Sequence, residues 1–414
     1  MHGLALRTTP AWVLGATLYR KFFLQQTRVV AVAGSFGKTT TTRCLLALLT
    51  GEFNRNQGGN RGIPAARNIL RIRPRDRFAV IETAVSDFGH MAQNARLIQP
   101  DIAVVMCVGS EHNLTFQTLE ATRNEKADVL RALGKKGLAV LNGDDPHVRW
   151  MSGQTDADVV TFGCGRENDY RASDISLEWP SGTRLTLHTP RETHRLFSPL
   201  FGKHMTYPVT AAAAVADRLG LDLSACLPNL TKIEPVPGRL NPLSLASGAI
   251  VLRDDFKSTT ETIHSALDFL EEIPGRRKIV ALGEVSEAPG SKGPIYRRIG
   301  KRIGQTAAKA FFICSTKSFS LYANGAVSAG MAKKNLYNAG TDGLTDLIDI
   351  LRSELRAGDV LLVKGRGNQR LGRLAFALQG RAVGCRLSAC DAASTLCDRC
   401  PMLASGWSGR KIVF

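Results

Sequence analysis

The chain has 414 residues, 44% of them hydrophobic and 22% charged, an ordinary globular composition that excludes wholesale disorder. That length exceeds what one core usually serves, so two or three domains are expected. The longest apolar stretches, such as Ala211–Ala216, fall far short of the roughly 20 residues a membrane-spanning helix needs. The net charge of +18 sits mainly at the ends: residues 1–75 carry twelve Lys or Arg against Glu52 alone, and residues 365–414 carry eight against Asp391 and Asp398. Such ends suit either simple solubility or an anionic partner, whether phosphate-bearing substrate, anionic lipid or nucleic acid.

The first 27 residues set Trp12, Leu14, Leu18, Tyr19, Phe22 and Phe23 among Arg7, Arg20, Lys21 and Arg28. This pattern predicts an amphipathic helix that lies on an anionic membrane surface or packs on a neighbouring core. The segment lacks the basic, apolar and small-residue order of an export signal, so a cytoplasmic chain is expected.

Residues 28–33, R-V-V-A-V-A, read as a buried parallel strand. Gly34-Ser35-Phe36-Gly37-Lys38-Thr39-Thr40 follows at once, and Leu45, Leu46, Leu48 and Leu49 then fit a helix over 42–49. Strand, glycine loop and helix are the context of a phosphate loop. Its glycines let backbone N–H groups converge on phosphate oxygens, the helix N-terminus adds positive potential, Lys38 supplies a cation and Thr39 a magnesium ligand. The loop is a variant, because Val32 stands where the commonest form has another glycine.

Downstream, F-A-V-I-E-T over 78–83 reads as a buried strand ending at Glu82, a carboxylate where open α/β sheets bind ligands. A second apolar run over 101–108 leads to Gly109-Ser110-Glu111-His112-Asn113-Leu114, a helical stretch carries Glu125-Lys126, and a strand over 137–141 runs into Asn142-Gly143-Asp144-Asp145. Later strands over 250–252, 278–282 and 360–363 end at Asp254-Asp255, Gly283-Glu284 and Lys364-Gly365. None is followed by G-x-G-x-x-G, so no dinucleotide is expected.

Taken in order, these motifs resemble the Mur ligase family, from Gly34 to Gly365. The G-x-x-G-K-T-T loop matches, Asn60-Arg61-Gly62-Ile63-Pro64 looks like a segment of members that act on the cell-wall precursor, and the N-x-D-D turn at Asn142 is among the most specific matches. The resemblance implies an α/β fold, with a phosphate-loop ATPase domain built on a parallel-rich sheet (28–236), a Rossmann-like α/β domain (237–380), the basic segment 1–27 and a cysteine-containing tail (381–414). It implies an ATP- and magnesium-dependent ligase that joins a carboxylate to an amine through an acyl phosphate, on a cell-envelope or peptidoglycan-like precursor.

By the same resemblance, Gly34, Ser35, Gly37, Lys38, Thr39, Thr40, Asn142, Asp144, Arg239, Asp254 and Asp255 bind nucleotide. Thr39, Glu82 and His112 hold magnesium, and Lys38, Lys126 and Arg239 are catalytic. Lys126 takes the place of a lysine that forms a carbamate with carbon dioxide, chemistry open only to a neutral amine; the alternative is a solvated lysine paired with Glu125. Lys364 is placed to contact the incoming substrate. Two departures stand out. Gly202-Lys203-His204-Met205-Thr206-Tyr207-Pro208 lacks the asparagines that relatives place around adenine, and Phe256-Lys257-Ser258 follows the Asp pair in place of the usual residues.

With the loop strand starting near Arg28, no separate uridine-binding domain is expected before it. A nucleotide-sugar substrate is therefore not expected; the expected partners are small-molecule carboxylate and amine substrates, with lipid-linked precursors and an amidotransferase-type partner subunit as variants. The remaining motif is Cys385, Cys390, Cys397 and Cys400, a C-x4-C-x6-C-x2-C array that predicts zinc or an iron–sulfur cluster, against paired disulfides or unrelated thiols. The competing function class is a protein that binds an anionic membrane surface or nucleic acid and uses ATP only as a switch.

Overall fold

The computed structural model describes residues 2–49, 53–54, 62–287, 291–392 and 396–405, which form two compact units, Met1–Glu234 and Pro235–Phe414. The first is built on nine strands: β1 (Arg28–Ala33), β2 (Phe53–Asn54), β3 (Phe78–Glu82), β4 (Ile102–Val105), β5 (Leu138–Asn142), β6 (Asp158–Gly163), β7 (Tyr170–Glu178), β8 (Gly182–His188) and β9 (Thr193–Ser198). Their order is β2-β3-β1-β4-β5-β6-β7-β8-β9. Pairing is parallel from β2 to β7 and antiparallel from β7 to β9.

Helices of this unit are α1 (His2–Phe23), α2 (Lys38–Leu48), α3 (Gly62–Leu70), α4 (His90–Ile98), α5 (Asn113–Phe116), α6 (Leu119–Arg131), α7 (Pro146–Trp150) and α8 (Thr206–Arg218). Side chains alternate across a strand. Val30, Val32, Val104 and Val140 therefore face one layer, with Leu45 and Leu48 of α2 and the alanines of α8. Val29, Ala31, Val105 and Leu141 face the other, with Ala66 and Ile69 of α3, Met91 and Leu97 of α4 and Leu130 of α6. Burial on both faces explains why these strands read as unbroken apolar runs. Ala211–Ala216 are all fully buried in α8, a core helix whose small side chains let it sit close to the sheet. Among the described residues, no helix is long and apolar enough to cross a membrane.

Helix α1 packs on this unit through Ala16, and Leu24 just past its end is buried there as well, both fully. The Tyr19 hydroxyl donates to Ile72 O (2.8 Å). The buried Arg20 guanidinium donates to Ile98 O, Leu24 O and Gln99 O and pairs with Asp101 at 2.9 Å. Asp101 also accepts from the Val29 amide at the start of β1 (2.8 Å), so Arg20 ties α1 to the strand that carries the loop.

The second unit holds a six-stranded sheet of β10 (Asn241–Ser244), β11 (Ile250–Asp254), β12 (Lys278–Leu282), β13 (Lys309–Phe312), β14 (Leu336–Asn338) and β15 (Val360–Lys364). The order is β10-β11-β15-β12-β13-β14, parallel apart from the β10–β11 pair. This is a Rossmann-like open sheet.

Two buried arginines hold the described tail on this unit. Arg373, 2% exposed, donates to the carbonyls of Arg370, Gln369, Cys385 and Leu387. Arg253 pairs with both Asp255 (3.1 Å) and Asp398 (2.7 Å), and the Cys390 amide donates to Asn368 O (2.8 Å).

Two consequences can be measured. Arg20→Ala leaves buried acceptors and the Asp101 carboxylate without their donor, and should lower the stability of the first unit by about 3–5 kcal/mol in denaturant unfolding. Arg373→Leu removes the donor that the Cys385 and Leu387 carbonyls share, so limited proteolysis within 384–405 should accelerate about tenfold.

Candidate active site

The turn from β1 to α2 has a shape that only glycine supports. Gly34 has φ +139°, and a Cβ there would lie 3.0 Å from Met106 Cβ and 3.1 Å from Cys107 N. Gly37 (φ 83°) is the N-cap of α2; the helix begins at Lys38, four residues earlier than the leucine pattern suggests. A strap to the turn after β4 holds the loop. Ser35 N donates to Cys107 O (2.8 Å), Gly109 N donates to Ser35 Oγ (2.9 Å) and Phe36 N donates to Cys107 Sγ (3.3 Å). Thr40 is buried at the first turn of α2, where backbone N–H groups and the helix dipole favour an anion.

Lys38 is buried and curls over the loop, its Nζ donating to Gly34 O (2.6 Å) and Ser35 O (3.1 Å), with Glu111 Oε2 at 3.5 Å. The Thr39 hydroxyl donates to Glu82 Oε2 (2.9 Å) at the C-terminal end of β3. His112, in the left-handed region at φ 64°, precedes α5 and places Nε2 3.7 Å from Glu111 Oε1. The loop, Glu82, Glu111 and His112 are thus brought together at the carboxyl ends of β1, β3 and β4. Among the described residues no three His, Cys, Asp or Glu side chains are grouped so as to hold a metal ion. The site instead offers a hydroxyl and carboxylates, the oxygen donors magnesium uses when it arrives with phosphates and keeps part of its water shell.

Lys126 on α6 is 1% exposed. Burial, and next the charge of Lys38, push its ammonium down to about 7. It is therefore not the solvated partner of Glu125. That carboxylate turns to the N-terminus of α4, accepting from Gly89 N (2.8 Å) and Met91 N (2.7 Å).

Asn142 ends β5 and spans to Met106 O (2.8 Å), while its Oδ1 accepts from Asp144 N (3.0 Å). Burial pushes the Asp144 carboxyl up, but donors from Cys164 N, Asn168, Tyr207 and Gly165 N outweigh it and hold the group below the usual carboxylate range. Asp145 caps α7 and accepts from Val108 N (2.8 Å). The N-x-D-D turn therefore braces the strand ends around the loop. Tyr207, from the segment that departs from relatives, is one of its braces (2.9 Å to Asp144).

In the second unit, Gly238 (φ 71°) accepts at its carbonyl from Phe256 N (3.2 Å), and the Arg239 guanidinium lies 4.9 Å from the Phe256 ring centroid. Asp254 accepts from Leu240 N (3.3 Å) and from Lys364 Nζ (2.5 Å), and Asp255 is engaged by Arg253. Lys364, 1% exposed, also donates to Lys257 O (2.9 Å). It is a buried brace for the Asp254 turn, not a side chain presented to an incoming substrate.

Cys385, Cys390, Cys397 and Cys400 are free thiols, and they are not gathered into a metal-holding group. The backbone around them is committed elsewhere: Cys385 lies against Arg373, the Cys390 amide is on Asn368, and Cys397 sits beside Arg253, Arg370 and Asp398. Burial pushes the Cys397 thiol up to about 11.

The sequence reading passed over Glu111 and Glu125. Glu111 lay inside the His112 segment, and its position just past a strand end was a usable signal. Glu125 acts on residues 34 and 36 positions away, which no local pattern reveals. Of the Asn60–Pro64 segment, Asn60 and Arg61 lie outside the described residues.

Comparison with known proteins agrees with this architecture. The family model described as the Mur ligase middle domain matches residues 32–216, and that described as the Mur ligase glutamate ligase domain matches residues 238–367. The UDP-N-acetylmuramoyl-tripeptide--D-alanyl-D-alanine ligase of Escherichia coli K12 is 30% identical over 290 residues, covering 68% of this chain but only 62% of that relative. The ligase of the same name from Mycobacterium bovis is 29% identical over 371 residues, covering 84% of this chain and 72% of that one. Among solved structures, MurF from Acinetobacter baumannii has the same fold, with a TM-score of 0.80 at 22% identity over 90% of this chain and 81% of its own. Two domain models in succession, over a loop and a set of strand-end residues arranged as that family's motifs require, show that this chain belongs to the Mur ligase family.

Proposed function

We propose that the chain is an ATP-dependent amide ligase that joins a peptide carboxylate of a peptidoglycan-like precursor to an amine resembling the D-alanyl-D-alanine in its relatives' names. The observation that carries this reading is the pairing of buried Lys38, held charged at the phosphate loop, with buried Lys126, pushed down to about 7. A nucleotide switch needs the first of these alone. Only a reaction that uses a neutral lysine needs the second.

A carboxylate is a poor electrophile towards amines. Its oxygen attacks the γ-phosphorus of ATP, the bond from that phosphorus to the β–γ bridging oxygen breaks, and ADP leaves. The amine lone pair then attacks the acyl carbon, inorganic phosphate leaves, and the amine nitrogen gives up a proton. Lys38 and the N-terminus of α2 meet charge spread over the transferring phosphoryl oxygens. Arg239, Asp254 and Asp255, around one turn of the second unit, are the groups of that unit proposed to bind nucleotide. Magnesium would neutralise the same oxygens, with Thr39, Glu82, His112 and a Lys126 carbamate as the groups to hold it. The carbamate forms when the neutral Lys126 amine attacks carbon dioxide and loses a proton, which turns a buried cation into an anion. A cytoplasmic site of action follows from the need for ATP.

The direct test is ADP release measured with candidate carboxylates and amines, which should require both. Lys38→Ala should reduce it by about 100- to 1,000-fold; amine-dependent release left intact by that change would remove the mechanism.

Lys126 makes activity depend on pH. Below about 7 its amine is protonated and cannot take up carbon dioxide, so turnover at limiting bicarbonate should fall as pH drops through that value. Lys126→Ala should lose activity and recover part of it with added short carboxylic acids. Stability should move as well. Between about 7 in the folded chain and about 10.4 in the unfolded chain, only the unfolded state carries this proton, so rising pH stabilises the native state across that window. Lys126→Met should flatten this slope in unfolding curves taken from pH 7 to 10.

A further inference from the structure

Helix α1 is apolar on two opposite sides. Ala16 and Arg20 are buried against the first unit, whereas Leu14 (60% exposed), Leu18 (45%) and Phe22 (59%) face away from it. Residues spaced by four lie one above another on a helix, so these three form a continuous outward stripe, and Trp12 and Phe23 of the same helix are exposed as well. Of the nine large hydrophobic side chains exposed among the described residues, five belong to this helix. Its inward packing alone does not account for them.

The surroundings of the stripe are basic. The Tyr19–Ile72 bond places α1 beside the turn that carries Arg71, Arg73, Arg75 and Arg77, all exposed. Arg67 of α3 lies 5.9 Å from the Trp12 ring centroid, and Lys21 lies 5.6 Å from that of Phe22. Asp76, the acid within this turn, is buried and accepts from Arg73 N (2.8 Å). Among the described residues, none of these arginines forms an ion pair.

We propose that the outward face of α1 and the Arg67–Arg77 rim dock the protein on an anionic phospholipid surface, with Leu14, Leu18 and Phe22 at the acyl boundary and the arginines at the headgroups. This pairing of an apolar stripe with a cationic rim is what an interfacial helix presents to lipid. Charge complementarity selects that occupant. A two-fold contact with a second copy would set the arginine rim near its own image, and a nucleic-acid backbone would leave the apolar stripe without a partner. The inference is independent of the ligase reading, since none of these residues lies in the phosphate loop or among the strand-end groups.

The test is cosedimentation of the full chain with vesicles of phosphatidylglycerol and phosphatidylcholine in equal parts, and with phosphatidylcholine alone. The full chain should pellet with the anionic vesicles, and less so at high salt, where screening shortens to about 3 Å at 1 M. The Leu14→Ser, Leu18→Ser, Phe22→Ser variant should lose binding by roughly tenfold or more, with an unchanged unfolding midpoint because these side chains are exposed. The Arg71→Glu, Arg73→Glu, Arg75→Glu variant should lose binding to the anionic vesicles as well, which keeps the test decisive if the first variant misfolds. Deleting the helix would not serve, because Arg20 and Leu24 are needed for folding. Failure of the full chain to bind anionic vesicles, binding by both variants equal to that of the unaltered chain, or a dimer abolished by the serine substitutions in the absence of vesicle binding would each overturn the proposal.

Discussion

Two lysines buried at one site cannot both keep a proton without compensation. Lys38 has it: two loop carbonyls accept from its ammonium and Glu111 lies close by. Lys126 is pushed the other way, by burial and then by Lys38 itself. The carboxylate beside it in sequence is spent on the N-terminus of α4. The charged lysine at the loop and the neutral lysine behind it are therefore a single electrostatic arrangement, and the geometry around them serves to keep it.

That arrangement depends on the parallel sheet. Strands β1, β3, β4 and β5 end on the same side because each is followed by a helix that returns the chain. Their ends carry the loop, Glu82, the Glu111–His112 pair and Asn142. Straps between the ends, from Ser35 to the turn after β4 and from Asn142 to Met106 O, fix side chains that come from four separate stretches of sequence. Arg20 extends the bracing outward by fastening α1 to the start of β1 through Asp101.

The second unit uses charge differently. Lys364 and Arg253 are buried with Asp254, Asp255 and Asp398, so these two cations are consumed in holding turns and the tail in place. Buried pairs of this kind add little net stability over apolar packing, but losing one partner is costly because the other stays buried and charged. Such pairs fix conformation, here the turn that presents Arg239 and the path of the tail.

What the sequence determined by itself was local or ordered along the chain. The run R-V-V-A-V-A followed by Gly34, Gly37 and Lys38 was legible as a strand, a glycine loop and the start of a helix, because β-branched residues favour a buried strand and closely spaced glycines a tight turn. Glu82, Asn142 and Lys126 were legible as members of a series in the right order. The antiparallel strands β7–β9 were not anticipated, since their half-buried alternation is a weak signal in a chain read for apolar runs. Tertiary structure decided whatever depends on which distant groups share a space. Lys126 is pushed down to about 7 by burial and then by Lys38, 88 positions earlier. Lys364 is a brace because Asp254 lies against it across 110 positions. The four closely spaced cysteines are not grouped as a metal site among the described residues, and Arg373 and Asn368 hold the tail's backbone at Cys385 and Cys390. Spacing along a chain records what can meet, and burial against the rest of the fold determines the charge each group then carries.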